Sequence, residues 1–115
     1  MIVVEAWLEF ASQEDRDKAV EATTGPQMAT RNEEAGCRAY CFAADPGIPK
    51  RIQVYELWDD EASLVAHFKH PNYDAMVKVL RGVGITATEN QMYLTTKQEP
   101  VYNEDGSPKE ALFVD

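Results

Sequence analysis

The sequence predicts a single α+β domain whose elements follow the order β-α-β-β-α-β. Two segments, Ile2–Phe10 and Arg51–Trp58, alternate apolar and polar side chains with the period of a strand. Two other segments, which follow Ser12 and Asp60, begin with a residue that can cap a helix. In this order four antiparallel strands form one sheet, and the two crossover segments cover one of its faces with helices.

The first crossover is predicted to be a helix in two pieces. Ser12 is a candidate N-cap, and the first piece continues through Glu21. The Thr-Thr-Gly-Pro stretch at residues 23–26 should break or kink the helix. A second piece is expected over residues 27–34, with Gly36 as a plausible C′ residue.

The middle of the chain is predicted to be a β-hairpin. Cys37–Ala44 and Arg51–Trp58 are joined by the turn residues Asp-Pro-Gly-Ile-Pro at 45–49. Cys37 and Cys41 are expected to be free thiols on one strand face, because four strand residues span about 13 Å, beyond the reach of a disulfide. A Cys-x-x-x-Cys metal site is disfavoured because no further Cys or His pair completes it.

The second crossover is predicted to begin at an aspartate and to restart at a proline. Asp59 or Asp60 can cap the first part, and Pro71 suits the first turn of the second. Gly82 and Gly84 are expected to end this helix.

A last strand is predicted over residues 85–97, so the domain should span residues 1–97. Residues 98–115 form a C-terminal extension without sustained periodicity, a candidate for packing on a partner subunit. Two helices leave the second face of the sheet open, and an exposed apolar sheet face needs a partner in water. We therefore expect a homodimer.

Composition limits the partners. The 115 residues carry a formal net charge of −9, and eleven basic residues are scattered among twenty acidic ones. A nucleic acid or an anionic membrane selects clustered Lys and Arg, so neither is expected. No apolar run approaches the roughly 20 residues of a membrane span, and no signal peptide is evident, so a cytoplasmic location is expected.

The stretch Val-Tyr-Glu-Leu-Trp-Asp-Asp-Glu-Ala-Ser-Leu-Val-Ala-His at residues 54–67, followed by Pro-Asn-Tyr at 71–73, resembles the signature of the antibiotic biosynthesis monooxygenase family. Residues 29–40 are similar to the family's Glu-x-Gly-Cys entry into the second strand. The resemblance implies a ferredoxin-like domain that dimerises into an α/β barrel, with a pocket between sheet and helices. It also implies oxygenation of a quinol or anthrone with neither metal nor flavin.

The sequence departs from the family pattern in two places. Asn72 stands where the family has a second His after the proline. In haem-degrading relatives a helix His binds iron, and that position aligns near Val77 here. The first-strand Asn of those relatives aligns near Ala6 or Trp7. Haem binding or degradation is therefore only a third reading.

His67 is the candidate catalytic residue, because imidazole exchanges protons near neutral pH. Its alternative role is helix capping or packing. Trp58 and Glu56 share a strand face and are candidates for substrate binding, Trp58 as a wall against a planar ring. Alternatively, Trp58 fills the dimer interface, and Glu56 pairs with one of three arginines, Arg38, Arg51 or Arg81.

Three further residues are candidates for substrate contact. Trp7 shares a strand face with Glu5 and meets the partner or the pocket, with packing as the default. Tyr73 is expected to line a cavity, and Asn90 to orient a substrate carbonyl. His70, at the predicted helix break, is expected to be solvated.

The leading functional hypothesis is a cofactor-independent monooxygenase acting on a small aromatic quinol or anthrone. The alternative is a non-enzymatic dimeric module of the same fold that binds a small hydrophobic ligand. No metal ligand set is predicted, and the sequence lacks a glycine-rich phosphate loop, a Gly-x-Ser-x-Gly elbow and a His-Glu-x-x-His pair.

Overall fold

The computed structural model of the protein describes residues 1–114. Its helices and strands follow one another as β1 (Ile2–Phe10), α1 (Gln13–Ala22), α2 (Thr24–Glu33), β2 (Cys37–Ala44), β3 (Arg51–Trp58), α3 (Glu61–Phe68), α4 (Pro71–Val83) and β4 (Ile85–Leu94). Each crossover therefore holds two short helices.

The four strands form one antiparallel sheet in the order β2-β3-β1-β4. Non-consecutive neighbours are what two crossovers of this length produce, and the predicted α+β, ferredoxin-like β-α-β-β-α-β fold is confirmed. The central pair, β1 and β3, aligns Ile2 with Trp58 and Ala6 with Val54.

The core lies between the sheet and the helices, and the alternation of β1 and β3 determines which side chains reach it. On β1 the buried residues are Ile2, Leu8 and Phe10, whereas Glu5 is exposed on the other face. Every second residue of β3 from Ile52 to Trp58 is buried. Burying one such apolar side chain contributes about 1.5–3 kcal/mol.

The first crossover breaks at Thr23, whose hydroxyl donates to the carbonyl oxygen of Ala19 at 2.7 Å. Ser12 caps α1 as predicted, accepting from the Asp15 amide at 3.1 Å. The second helix begins at Thr24 rather than at residue 27. The reason is that Pro26 lies in the first turn, where its missing N–H costs no helical hydrogen bond.

Gly36 is not a helix C′ residue, because α2 ends at an extended Glu34. It is instead a point of close approach between the α2–β2 connection and α3. A Cβ at Gly36 would overlap the side chain of Ser63, and the Gly36 carbonyl accepts from the Asp59 amide at 2.9 Å. Glycine allows the two segments to touch.

The second crossover also breaks where a proline was expected to restart it. Asp60 caps α3, accepting from the Ser63 amide at 2.8 Å. His70 caps α4, since its Nδ1 accepts from the Asn72 amide at 3.0 Å, and it is half-buried rather than solvated. Pro71 occupies the first turn of α4.

Of the two glycines expected to end α4, only Gly84 does so. Its φ of 104° is left-handed, a conformation that suits glycine. Gly82 lies inside the helix.

The expectation that Cys37 and Cys41 share a face is wrong. The β2–β3 register shifts between Cys37 and Ala39, so that Cys37 lies opposite Trp58 and Cys41 lies opposite Tyr55. One extra residue in a strand exchanges the faces of all that follow. Both thiols are free, with Cys37 packed against the core and Cys41 on the opposite face.

The last strand ends at Leu94, three residues before the predicted limit. It forms one edge of the sheet and is almost wholly exposed. Beyond it the described part of the extension contains a single isolated bridge between Tyr102 and Pro108. No helix within residues 1–114 is long and apolar enough to cross a membrane.

Candidate functional site

A cavity of about 710 Å³ lies between the inner face of the sheet and helices α3 and α4. Aliphatic and aromatic side chains form most of its lining, including Leu64, Met76 and Leu80 from the helices. Its volume suits a bicyclic or tricyclic molecule. The polar side chains in the lining are few: Tyr40, Glu56, His67, Tyr73, Thr88, Asn90 and Gln91.

His67 lies in the last turn of α3, and its imidazole is almost fully buried in the cavity wall. Its Nδ1 lies 2.9 Å from Oε1 of Glu34, the C-cap residue of α2. The exposed fractions of the two side chains are 2% and 7%. A carboxylate acceptor at Nδ1 favours the tautomer with its proton there, which leaves the lone pair on Nε2.

Asn72 holds the other oxygen of Glu34. Its Nδ2 donates to Oε2 of Glu34 and to Oε2 of Glu33, both at 3.3 Å. Asn72 is thus joined to His67 through one carboxylate. The hydrogen bonds that join Asn72, Glu34 and His67 connect the start of α4, the end of α2 and the end of α3.

Aromatic rings surround the imidazole. The centroid of His67 lies 4.6 Å from Trp58, 5.3 Å from Tyr40 and 5.5 Å from Tyr73. Rings at these distances are in contact. Packing on several sides and a hydrogen bond at Nδ1 together determine the orientation of the imidazole.

Glu56 presents a second carboxyl group to the cavity. Its Oε1 accepts from the indole Nε1 of Trp58 at 3.0 Å. Burial and the nearby charge of Glu34 together raise its pKa to about 7, although the Trp58 hydrogen bond lowers it. Glu56 is therefore a carboxyl group that changes protonation state near neutral pH.

The expected pairing of Glu56 with an arginine is wrong. Arg38 pairs with Asp59, Arg51 pairs with Glu9 at 2.8 Å, and Arg81 is exposed on α4. Arg38 and Arg51 belong to segments that direct them to the edge or the outer face. The same-face neighbour two residues along the strand, Trp58, takes the carboxylate instead.

Trp58 lies behind the cavity rather than in its lining. It is fully buried within the subunit, where its ring packs against the imidazole of His67 and the ring of Tyr40. It therefore occupies neither a dimer interface nor a wall against a ligand. Its indole N–H and its ring instead support Glu56 and His67.

Trp7 lies on the opposite face of the sheet from the cavity, because strand alternation places it with Glu5 and Glu9. The guanidinium carbon of Arg51 lies 4.0 Å from the centre of its ring, a cation–π contact. Trp7 thus does not line the cavity.

Tyr73 and Asn90 both line the cavity, Tyr73 from α4 and Asn90 from β4. Val77 contributes an aliphatic side chain there. Within residues 1–114 no group of three His, Cys, Asp or Glu side chains is arranged to hold a metal ion.

Two residues of the site were missed at the level of sequence. Glu34 lies 33 positions from its partner His67, and no local pattern links them. The available signal was the Glu-x-Gly-Cys motif, in which Glu34 is the glutamate. Tyr40 was missed because it resembles any core residue of β2. Burial and the charges of Glu56 and Glu34 raise the pKa of its hydroxyl far above the usual range.

The fold and this site define the class of protein. The family model described as antibiotic biosynthesis monooxygenase matches residues 1–79, and the chain belongs to that family. The match covers β1 through most of α4 and contains Glu34, Glu56 and His67. No curated protein matches the chain.

Similar solved structures share the fold. A protein of Deinococcus radiodurans named after the antibiotic biosynthesis monooxygenases is 19% identical, with a TM-score of 0.77 over 90% of this chain and 100% of its own. A similarly named protein of Caulobacter crescentus is 11% identical, with a TM-score of 0.73 over 84% and 91%. A conserved protein of unknown function from Bacteroides thetaiotaomicron is 20% identical, with a TM-score of 0.69 over 80% and 94%.

Proposed function

We propose that the protein is a monooxygenase that binds a small phenolic aromatic compound, of the quinol or anthrone type, in the cavity and oxidises it with O₂. The observation that carries the proposal is the buried pair of His67 and Glu34 in the wall of an otherwise mostly apolar cavity. Family membership supports a monooxygenase-type role. The substrate class is our inference from the shape and chemistry of the cavity.

In the proposed reaction His67 accepts a proton from the bound phenol or from its activated methylene group. Glu34 stabilises the imidazolium that forms, and Asn72 holds Glu34 in position. The resulting electron-rich anion transfers electrons to O₂. For an anthrone, one oxygen atom becomes the carbonyl oxygen that replaces the two methylene hydrogens, and the other leaves as water. The carbon loses four electrons and O₂ gains four.

The test is oxygen uptake with dithranol, with variants His67→Ala and Glu34→Gln and the exposed-residue control Glu21→Gln. We expect uptake above the non-enzymatic rate for the wild type and the control, and a loss of about 10²–10⁴-fold for His67→Ala. Circular dichroism checks that each variant is folded. Uptake by the wild type equal to the buffer rate would contradict the proposal.

A non-enzymatic ligand-binding module is the second candidate function. It is favoured by how completely His67 is enclosed, with only 2% of its side chain exposed. The test is native mass spectrometry of purified protein followed by incubation with O₂. A bound compound that is retained unchanged supports the binding module, whereas its conversion supports the monooxygenase.

We further propose that the protein acts as a homodimer. Two kinds of exposed surface support this. Tyr55 and Tyr93 are about half exposed on the outer face of the sheet. The extension, which the chain's own cavity does not use, exposes apolar residues that need cover: Val101, Tyr102, Leu112, Phe113 and Val114.

Light scattering coupled to gel filtration tests the dimer. We expect twice the 12.9 kDa chain mass for the full chain. A variant with Tyr55→Arg on the outer face should shift towards monomer, because two like charges would meet at a two-fold interface. Tyr102→Arg probes the extension in the same way. Wild-type protein that is monomeric at about 100 µM would overturn the proposal.

A further inference from the structure

We infer that Glu56 is a ligand-binding residue that donates a hydrogen bond, so that the cavity selects aromatic compounds carrying both a phenolic hydroxyl and a carbonyl oxygen. The inference rests on the proposed function only in taking this cavity as the ligand site. It narrows the substrate class from phenols in general to keto-phenols.

The Glu56 carboxyl has one oxygen bonded within the protein and one that faces the cavity. One oxygen is engaged, because Oε1 accepts from the Trp58 indole at 3.0 Å. No residue among 1–114 makes a hydrogen bond to the other oxygen, yet Glu56 lines the cavity and is largely buried. This second oxygen is therefore available to a ligand in the cavity.

The surroundings of Glu56 hold acidic and neutral groups but no lysine or arginine that faces it. The titratable groups facing it are Glu34 from the α2–β2 connection, Cys37 and Tyr40 from β2, His67 from α3 and Tyr73 from α4. None is a lysine or an arginine, and His67 is paired with Glu34.

The protonation state of Glu56 follows from these surroundings. With no cation to hold the carboxylate, burial keeps its pKa at about 7. Below that pH the carboxyl is neutral, and its free oxygen carries a proton that it can donate.

His67 and Glu56, two of the polar groups that line the cavity, are complementary in hydrogen bonding. The lone pair of His67 accepts a proton or hydrogen bond from a hydroxyl, whereas protonated Glu56 donates one to a carbonyl. Both groups contact Trp58, which holds them at separate points of one wall. A compound that carries both a hydroxyl and a carbonyl matches this pair of groups.

The experiment compares two bicyclic phenols by isothermal titration calorimetry. The first, 7-hydroxy-1-tetralone, has a phenolic hydroxyl and a ketone, and the second, 5,6,7,8-tetrahydro-2-naphthol, lacks the ketone. At pH 6 we expect wild-type protein to prefer the ketone about tenfold, the equivalent of one hydrogen bond. At pH 8.5 the preference should vanish, because the carboxylate has no proton to donate.

The variant Glu56→Gln separates this role from a purely structural one. Its amide oxygen can keep the Trp58 hydrogen bond, and its amide nitrogen remains a donor at every pH. We expect Glu56→Gln to prefer the ketone about tenfold at both pH 6 and pH 8.5. Glu21→Gln should keep the wild-type pH dependence.

The outcomes separate the two proposals. Equal affinity of the wild type for both phenols at pH 6 overturns the role of Glu56 and leaves the cavity as a phenol site. A preference that persists in the wild type at pH 8.5 also overturns it. If neither phenol binds, this inference and the proposed function both fail.

Discussion

Replacing Glu56 by glutamine should change how stability depends on pH, apart from any effect on ligands. The folded protein raises the pKa of this carboxyl from 4.5 to about 7, chiefly through burial. Each pKa unit corresponds to about 1.4 kcal/mol, so ionising Glu56 in the folded protein costs about 3 kcal/mol more than in the unfolded chain.

The sign follows from which state binds the proton more tightly. Because the folded pKa lies above the unfolded value, the contribution of Glu56 is fully present below pH 4.5 and is lost as the pH rises to about 7. A glutamine at this position does not titrate. The difference in the free energy of unfolding, Glu56→Gln minus wild type, should therefore be about 2–3 kcal/mol larger at pH 8 than at pH 5.

Urea denaturation at fixed protein concentration measures this difference. All other titrating groups are shared by the two proteins and cancel in the comparison. Glu21→Gln, at an exposed position, should follow the wild-type curve. Parallel pH profiles for wild type and Glu56→Gln would refute the reasoning, because they would mean that Glu56 has the same pKa in the folded and unfolded states.

Three further substitutions test the packing around the site. Gly36→Ala should lower the free energy of unfolding, measured by urea denaturation, by about 1–3 kcal/mol, because the added Cβ would overlap Ser63. Adding Ser63→Gly should recover part of that loss. An unaffected Gly36→Ala variant would contradict the close approach. Asp60→Ala should lower the free energy of unfolding, measured by thermal denaturation, by about 1 kcal/mol. Asp60→Ser should lower it much less, since serine can also cap α3. Equal losses would exclude capping as the cause. Thr30→Val should stabilise the protein by up to about 1 kcal/mol, because the Thr30 hydroxyl is buried with no hydrogen-bond partner within residues 1–114. A lower Tm for the variant would show that the hydroxyl has a partner.

The sequence predicts the fold well because its strands carry a simple period. In β1 every second residue is apolar, and in β3 only Glu56 interrupts the same pattern, which assigns Ile2 and Ile52 to the core. Capping residues and prolines predict where the crossover helices break, as at Thr23 and Pro71. The bulge after Cys37 was missed because one unpaired residue leaves no mark on composition.

The site was less predictable because its contacts join distant parts of the chain. His67 and Glu56 could be selected from residue type and strand face, and both line the cavity. The partner of His67 could not, since Glu34 approaches only after α2 and α3 have packed on the sheet. Residue type predicts Trp58 as a wall against a substrate ring or, alternatively, in the dimer interface, whereas the fold buries it against the imidazole of His67.

The bulge in β2 also gives the protein two natural reporters for thiol chemistry. Cys37 packs against the core and is partly exposed, and burial together with the charge of Glu34 raises the pKa of its thiol to about 11, which slows its alkylation. Cys41 lies on the outer face opposite Tyr55, on the surface that we assign to the second subunit. Labelling of Cys41 would thus report on subunit dissociation, with the slower Cys37 as an internal reference in one unmodified chain.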